Sequence, residues 1–305
     1  MKNKPYLRIE RLTSEMLKGE QPIWVNPVGG LGDIIMLSTV LMHCFDQYGK
    51  KFHVVRRTHY TDFFVGHPAV EKIGHPEPNN VIICNDYWGR PEFDDANKKA
   101  IDILYDIFCV DIHKPSLYVV SHIEPKTAIL LKNIPWGKKN IIISISSESP
   151  RKMMHPMKWH MIVEKLLSQN VFVLQVGGSN DIPIKGAYSI LGTTTPNQLL
   201  SILAKADVVV TVDNFVMHAA EVVRVPTISL FGPTEASRYA YDDHLAIQIS
   251  TEYCPHHGEC LGPHVADNYA TMCPLCEDHC MNHHNENQVF DAIMSITTVR
   301  RKNLR

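Results

Sequence analysis

The stretch Asp207-Val-Val-Val-Thr-Val-Asp-Asn-Phe-Val-Met-His-Ala-Ala220, followed by Pro226-Thr-Ile-Ser-Leu-Phe-Gly-Pro-Thr234, constrains the fold more than any other part of the chain. A short valine-rich run breaks into a polar turn, a helical stretch, and a second apolar run ending in Gly-Pro-Thr. This pattern predicts strand, loop, helix, strand, loop, with both loops at the carboxyl ends of their strands. Ligands bind along that edge in open α/β sheets, and a helix opening there aims unpaired N–H groups at an anion. A similar unit, Pro22-Ile-Trp-Val-Asn-Pro-Val-Gly-Gly-Leu-Gly-Asp33, lies near the N-terminus. Two such units are expected to face each other across a cleft for a phosphorylated ligand and a second substrate.

A chain of 305 residues exceeds one ordinary core, which predicts two α/β domains. The stretch from Pro115 to Lys139, holding Pro125, Pro135 and Gly137, is the expected boundary, giving domains over 1–135 and 136–305. Strands are expected at Ile23–Asn26, Lys51–Arg56, Asn80–Cys84, Asn140–Ser146, Val171–Val176, Val208–Val212 and Thr227–Phe231, with a short one in 186–192. Helices are expected from about Ile34 to Tyr48, Pro91 to Val110, Lys158 to Ser168, Asn197 to Ala204, from Val216, and from Glu286 to Thr298. The last of these could cross back to the first domain. Alternating strands and helices mean largely parallel, doubly wound sheets.

A net charge of −2 supplies no general field for nucleic acid. No apolar run reaches membrane-spanning length and the first thirty residues lack a signal-peptide core, so a cytoplasmic location is expected. The basic tail Arg300–Arg305 reads as a frayed, solvated end.

Cys44, Cys84 and Cys109 are scattered and read as buried fillers. Cys254, Cys260, Cys273, Cys276 and Cys280 crowd together, beside His256, His257 and His264. In a reducing compartment that density points to metal rather than disulfides. Cys273-Pro-Leu-Cys276 is a suitable knuckle for a tetrahedral ion, and four thiolates suit zinc or iron in a closed, structural site. Five cysteines for four places leave one over, Cys260 first; free or oxidised thiols are the other reading.

Gly30-Leu-Gly-Asp33, Lys152 in Pro150-Arg-Lys-Met-Met-His-Pro156, Gly177-Gly178, Asp213 to His218, and Phe231-Gly-Pro-Thr234 occur in an order that resembles glycosyltransferase family nine. These are heptosyltransferase-like enzymes of the GT-B fold, two Rossmann-like domains facing across a cleft. Cys276-Glu-Asp-His-Cys280-Met281 and the residues after it also resemble that family, whose autotransporter group carries a cysteine-bound iron here. The likeness is good from about Asn140 onward and rests on fold type alone over 51–139. Two departures stand out: Asp213-Asn214-Phe215 where the family has Asp-Ser/Thr-Gly, and Met154-His155 in place of a Trp-Pro after the lysine.

Transfer from a sugar nucleotide passes through an oxocarbenium-like transition state. The protein must take a proton from the acceptor hydroxyl and stabilise the departing diphosphate. Asp33 follows a glycine turn and is the base candidate; its alternative is the N-cap of the next helix, and the resemblance favours the base. Lys152 supplies a point charge and the N–H groups after Asp213 supply dipoles for the leaving group. The resemblance implies that Lys152 contacts donor phosphates, assisted by Ser147; the bland reading of Lys152 is a solvated lysine beside Arg151. His218 either contacts phosphate or packs on the sheet. Asp181 sits where an acid grips a ribose hydroxyl, or else is a turn aspartate. Thr234 lines the donor pocket or caps the following helix. Gly30, Gly32, Gly177, Gly178, Asn214 and Gly232 complete the candidate donor set.

No Asp-any-Asp triplet occurs, which fits a leaving-group site without a catalytic metal. The expected activity is inverting transfer of a sugar, heptose by family default with ADP-heptose as a possible donor, to a glycan or protein hydroxyl. The rivals are a sugar-nucleotide epimerase or hydrolase on the same double fold, and an inactive binding or scaffold protein. A homo-oligomer is possible. A dehydrogenase is disfavoured, because the first glycine turn lacks the dinucleotide spacing.

Overall fold

A computed structural model describes residues 6–57, 59–95, 97–111, 117–120, 125–253, 273 and 280–303. The chain divides into two compact units, Met1–Ser121 and His122–Arg305.

The first unit contains β1 (Leu7–Ile9), α1 (Ser14–Lys18), β2 (Ile23–Asn26), α2 (Leu31–Tyr48), β3 (Phe52–Val55), β4 (Val70–Gly74), β5 (Val81–Cys84) and α3 (Ala100–Phe108). Its strands pair in parallel in the order β1-β5-β2-β3-β4. Ile23, Trp24 and Val25 are all buried, as expected for a central parallel strand covered on both faces. The order reverses between β2 and β5, so the loops leaving those two strands border a switch point.

Two expectations are corrected here, and the N-terminal residues add two elements. The helix expected from Ile34 begins at Leu31, with Gly30 as its N-cap, because Asp33 reaches back to the Gly30 N–H. The helix expected over 91–110 is a 3-10 turn at Pro91–Asp94 followed by α3. Asp95 Oδ1 accepts the Asn97 N–H at 3.0 Å, a local turn that competes with helix propagation. The N-terminal arm carries β1, an edge strand of three residues too short to give a periodic signal, and α1, capped by the Thr13 hydroxyl.

The second unit contains α4 (Pro125–Asn133), β6 (Asn140–Ser144), α5 (Pro156–Ser168), β7 (Phe172–Gln175), β8 (Tyr188–Ser189), α6 (Pro196–Leu203), β9 (Val208–Val212), α7 (Phe215–Val222), β10 (Thr227–Phe231), α8 (Ala236–Tyr239), β11 (Leu245–Gln248) and α9 (Glu286–Asn303). All pairings are parallel, in the order β11-β10-β9-β6-β7-β8. Renumbered from β6, this is the doubly wound order of dinucleotide folds, reversing between β6 and β9. The core joins Ile141, Ile143, Val208, Val210, Ile228 and Leu230 to Trp159, Ile162 and Leu166 of α5 and Val289 and Ile293 of α9. Each large apolar side chain buried this way stabilises the unit by roughly 1.5–3 kcal/mol. α9 lies on α5 and β9 of its own unit.

Candidate active site

The loops leaving β6 and β9 are stitched together by two side chains, chiefly that of Asn214. Asn214, the N-cap of α7, accepts the Val216 N–H (2.8 Å) and the Thr211 hydroxyl (2.9 Å) through Oδ1. Its Nδ2 donates to Ser144 Oγ (3.0 Å) and to the Ser146 carbonyl (2.8 Å). Ser147 Oγ donates to the Asp213 carbonyl at 3.4 Å. The amino end of α7 therefore opens at the switch point, where its dipole favours an anion. Phe215 is the first residue of α7 and needs no left-handed backbone, which explains why glycine is dispensable there.

Asp213 is the hub. Its Oδ2 accepts both Lys152 Nζ (2.8 Å) and the Thr234 hydroxyl (2.8 Å). Burial pushes this carboxyl up, but the charge and hydrogen bond of Lys152 and the Thr234 hydroxyl outweigh it and leave it below its ordinary value. Lys152 ends a 3-10 turn, Pro150–Lys152, with its Nζ 5.9 Å from the centre of the Tyr239 ring. It is not a solvated surface lysine: its side chain is 13% exposed, and the adjacent Arg151 is buried.

His218 is buried one turn into α7, its Nδ1 2.5 Å from the Tyr241 hydroxyl. Burial lowers it to about 4, with Asp213 opposing and His244 and Lys152 reinforcing. Its burial favours the neutral imidazole over the cation. Tyr241 also packs edge-on against His244, whose Nε2 lies 3.2 Å from Glu221. The sequence carries no signal for Tyr241.

After β7, Gly177 has φ +155° and a Cβ there would fall 2.0 Å from Asp181 Oδ2. That oxygen accepts the Gly178 N–H at 2.9 Å, so Asp181 forms the turn, at the carboxyl edge of the strand next to β6. Gly232 is walled by the Cys280-Met281 turn: a Cβ would meet Met281 Sδ at 2.5 Å and Cys280 Sγ at 3.0 Å.

In the first unit Asp33 lies at the switch point, at the third position of α2. Gly30 N–H donates to its Oδ2 (2.8 Å) and the Tyr87 hydroxyl to its Oδ1 (2.9 Å). Gly29 has φ +88°, and a side chain there would strike the Asp33 carboxylate. Gly32 is the second residue of the helix.

Cys254, Cys260 and Cys276, with His256, His257 and His264, lie outside the described residues. Cys273 is half-buried and Cys280 buried. Among the described residues no group of three or more His, Cys, Asp or Glu could hold a metal ion.

The family model for glycosyltransferase family 9 (heptosyltransferase) matches residues 90–260, more than half of the chain. The chain belongs to glycosyltransferase family 9. It is a heptosyltransferase-like glycosyltransferase. Among solved structures, a family 9 glycosyl transferase from Veillonella parvula is 12% identical, covering 94% of this chain and 99% of that one with a TM-score of 0.68. The ADP-heptose lps heptosyltransferase II of E. coli is also 12% identical, covering 92% and 100% with a TM-score of 0.65. The iron-containing dodecameric glycosyltransferase TibC of enterotoxigenic E. coli is 14% identical, covering 91% and 78% with a TM-score of 0.70. These likenesses assign the GT-B fold, with its two Rossmann-like units. No curated protein sequence matches the chain. No described helix is long and apolar enough to cross a membrane.

Proposed function

We propose that this family 9 enzyme transfers a heptose, with inversion, from ADP-heptose to a hydroxyl of a glycan or protein acceptor. The reading rests above all on the convergence of Lys152, Asp213 and Thr234 beside the amino end of α7. That corner supplies a buried cation and oriented N–H dipoles, which is what a departing diphosphate needs. The donor is suggested by the TibC structure in complex with ADP-D-β-D-heptose and by the E. coli heptosyltransferase named for ADP-heptose.

In this reading residues 136–305 hold the donor and residues 1–135 the acceptor. Asp33 takes the acceptor's hydroxyl proton, and the acceptor oxygen bonds to the anomeric carbon from the face opposite the diphosphate. The anomeric C–O bond breaks and its electron pair leaves with ADP, beside Lys152 and the α7 N–H groups. One displacement inverts the anomeric configuration. Ser147, Gly177, Gly178, Asp181 and Gly232 line the nucleoside and phosphate path, and Gly30 and Gly32 shape the turn carrying the base.

We read the cysteine-rich segment as a structural knot in which Cys254, Cys273, Cys276 and Cys280 hold zinc or iron. Its metal takes no part in the transfer. Well under one equivalent of metal in anaerobically purified protein would remove this part. A homo-oligomer is in keeping with the dodecamer named for TibC.

The deciding experiment is a calorimetric screen of ADP-, UDP-, GDP- and CMP-sugars, followed by transfer assays on Asp33→Asn. ADP-heptose binding with transfer lost in the variant is expected. Binding of no nucleotide sugar would point to a scaffold, and turnover without acceptor to an epimerase or hydrolase. Transfer retained by Asp33→Asn would take Asp33 out of the mechanism.

A further inference from the structure

Tyr87 lies three residues beyond β5, on the 3-10 turn Tyr87–Gly89, and is only 5% exposed. Its ring is flanked by Trp88 (centroids 5.0 Å apart, near perpendicular) and Phe93 (6.0 Å), and its hydroxyl reaches Asp33 Oδ1 at 2.9 Å. Hydrogen bonds frame this contact from both sides. Asn85, wholly buried, accepts the Val28 N–H (2.7 Å) and donates to the Val28 carbonyl (3.0 Å), clamping the β2–α2 loop to the β5 loop. Gly30 N–H fixes the other carboxylate oxygen.

We propose that Tyr87 is a positioning residue for transfer: it holds the Asp33 carboxylate ionised and in one rotamer, aimed at the acceptor hydroxyl. The inference rests on the reading of Asp33 as the base. A phenol donating to a carboxylate stabilises its charged form. A carboxylate offers about four acceptor sites, so orientation by Gly30 and Tyr87 is compatible with receiving a substrate proton. The charged groups flanking this turn pair among themselves: Asp86 with Arg8 (2.5 Å) and Arg90 (2.9 Å), and Arg90 also with Glu10. The neutral Tyr87 reaches Asp33 from the β5 loop.

The test is the titration of the Asp33 carboxyl by carbon NMR on aspartate-labelled full-length protein, its signal assigned by its loss in Asp33→Asn. In Tyr87→Phe the protonation constant should rise about tenfold, the size expected for losing a hydrogen bond to a charged group. Site-specific 3-fluorotyrosine at position 87, a stronger donor in the same volume, should move it the opposite way. A purely structural ring would leave both titrations within about twofold of wild type, and that result overturns the proposal. ADP release from ADP-heptose, with the glycan or protein acceptor used in the transfer assays, should show kcat down about tenfold in Tyr87→Phe with donor KM unchanged. Should Asp33→Asn keep full transfer, the base reading fails, while the titration still reports separately whether Tyr87 governs the carboxylate.

Discussion

Lys152 Nζ sits 2.8 Å from Asp213 Oδ2, an ion pair whose side chains are 13% and 6% exposed. Removing only the lysine strands a buried carboxylate, whereas neutralising both partners does not. Lys152→Met should cost about 3 kcal/mol of stability, and Lys152→Met/Asp213→Asn should recover most of it. Urea unfolding of the four proteins of the cycle measures this, and losses that simply add would show that the pair contributes no coupling.

Acid should weaken the fold in two ranges. His67 donates through Nε2 to the Ser38 carbonyl and accepts the Ala69 N–H through Nδ1, so a second proton cannot be accommodated. Burial lowers it to about 4. Its folded value lies below its unfolded one, so its contribution is complete above about pH 6.5 and drains as pH falls toward 4. That amounts to about 2 kcal/mol between pH 7 and 5. Denaturation of wild type and His67→Gln at the two pH values should show a smaller pH difference in the variant. The lowered carboxyl of Asp213 adds a second loss, which sets in as pH falls to the ordinary aspartate value and continues below it, because the unfolded chain takes up that proton first.

Asn214→Ser keeps an N-cap oxygen but deletes the amide that bridges to Ser144 and Ser146. Stability should fall by about 1–2 kcal/mol, with donor KM raised roughly tenfold and kcat less affected. Equal falls in kcat and kcat/KM would instead place Asn214 among groups acting only in the transition state.

Gly232→Ala drives a methyl into Met281, which is wholly buried. A loss of about 1–3 kcal/mol in thermal or urea stability is expected, and Gly232→Ala/Met281→Ala should lose less than the sum of the two single changes. Losses that simply add would mean that the loop strains elsewhere.

Strands Val208–Val212 and Thr227–Phe231 were readable from the chain to the residue, because both faces are buried and the apolar run is continuous. The 91–110 stretch was not, since the Asp95 turn that interrupts it depends on a side chain rather than on apolar spacing. The setting of Lys152 was hidden for another reason. Arg151-Lys152 reads as a soluble dibasic pair, yet the 3-10 turn rotates successive residues far apart, burying one and pairing the other with Asp213. Tyr87 was invisible as a partner of Asp33 because 54 positions separate them and only the pairing of β2 with β5 brings their loops together.

The seating of α9 on α5 and β9 bears on biosynthesis. The sheet of the second unit is finished at Gln248, but Val289 and Ile293 still belong to its core. A ribosome-bound nascent chain therefore exposes part of that apolar face until residues near 290 clear the exit tunnel. Chaperone engagement should peak in that interval and fall off once the closing helix is available.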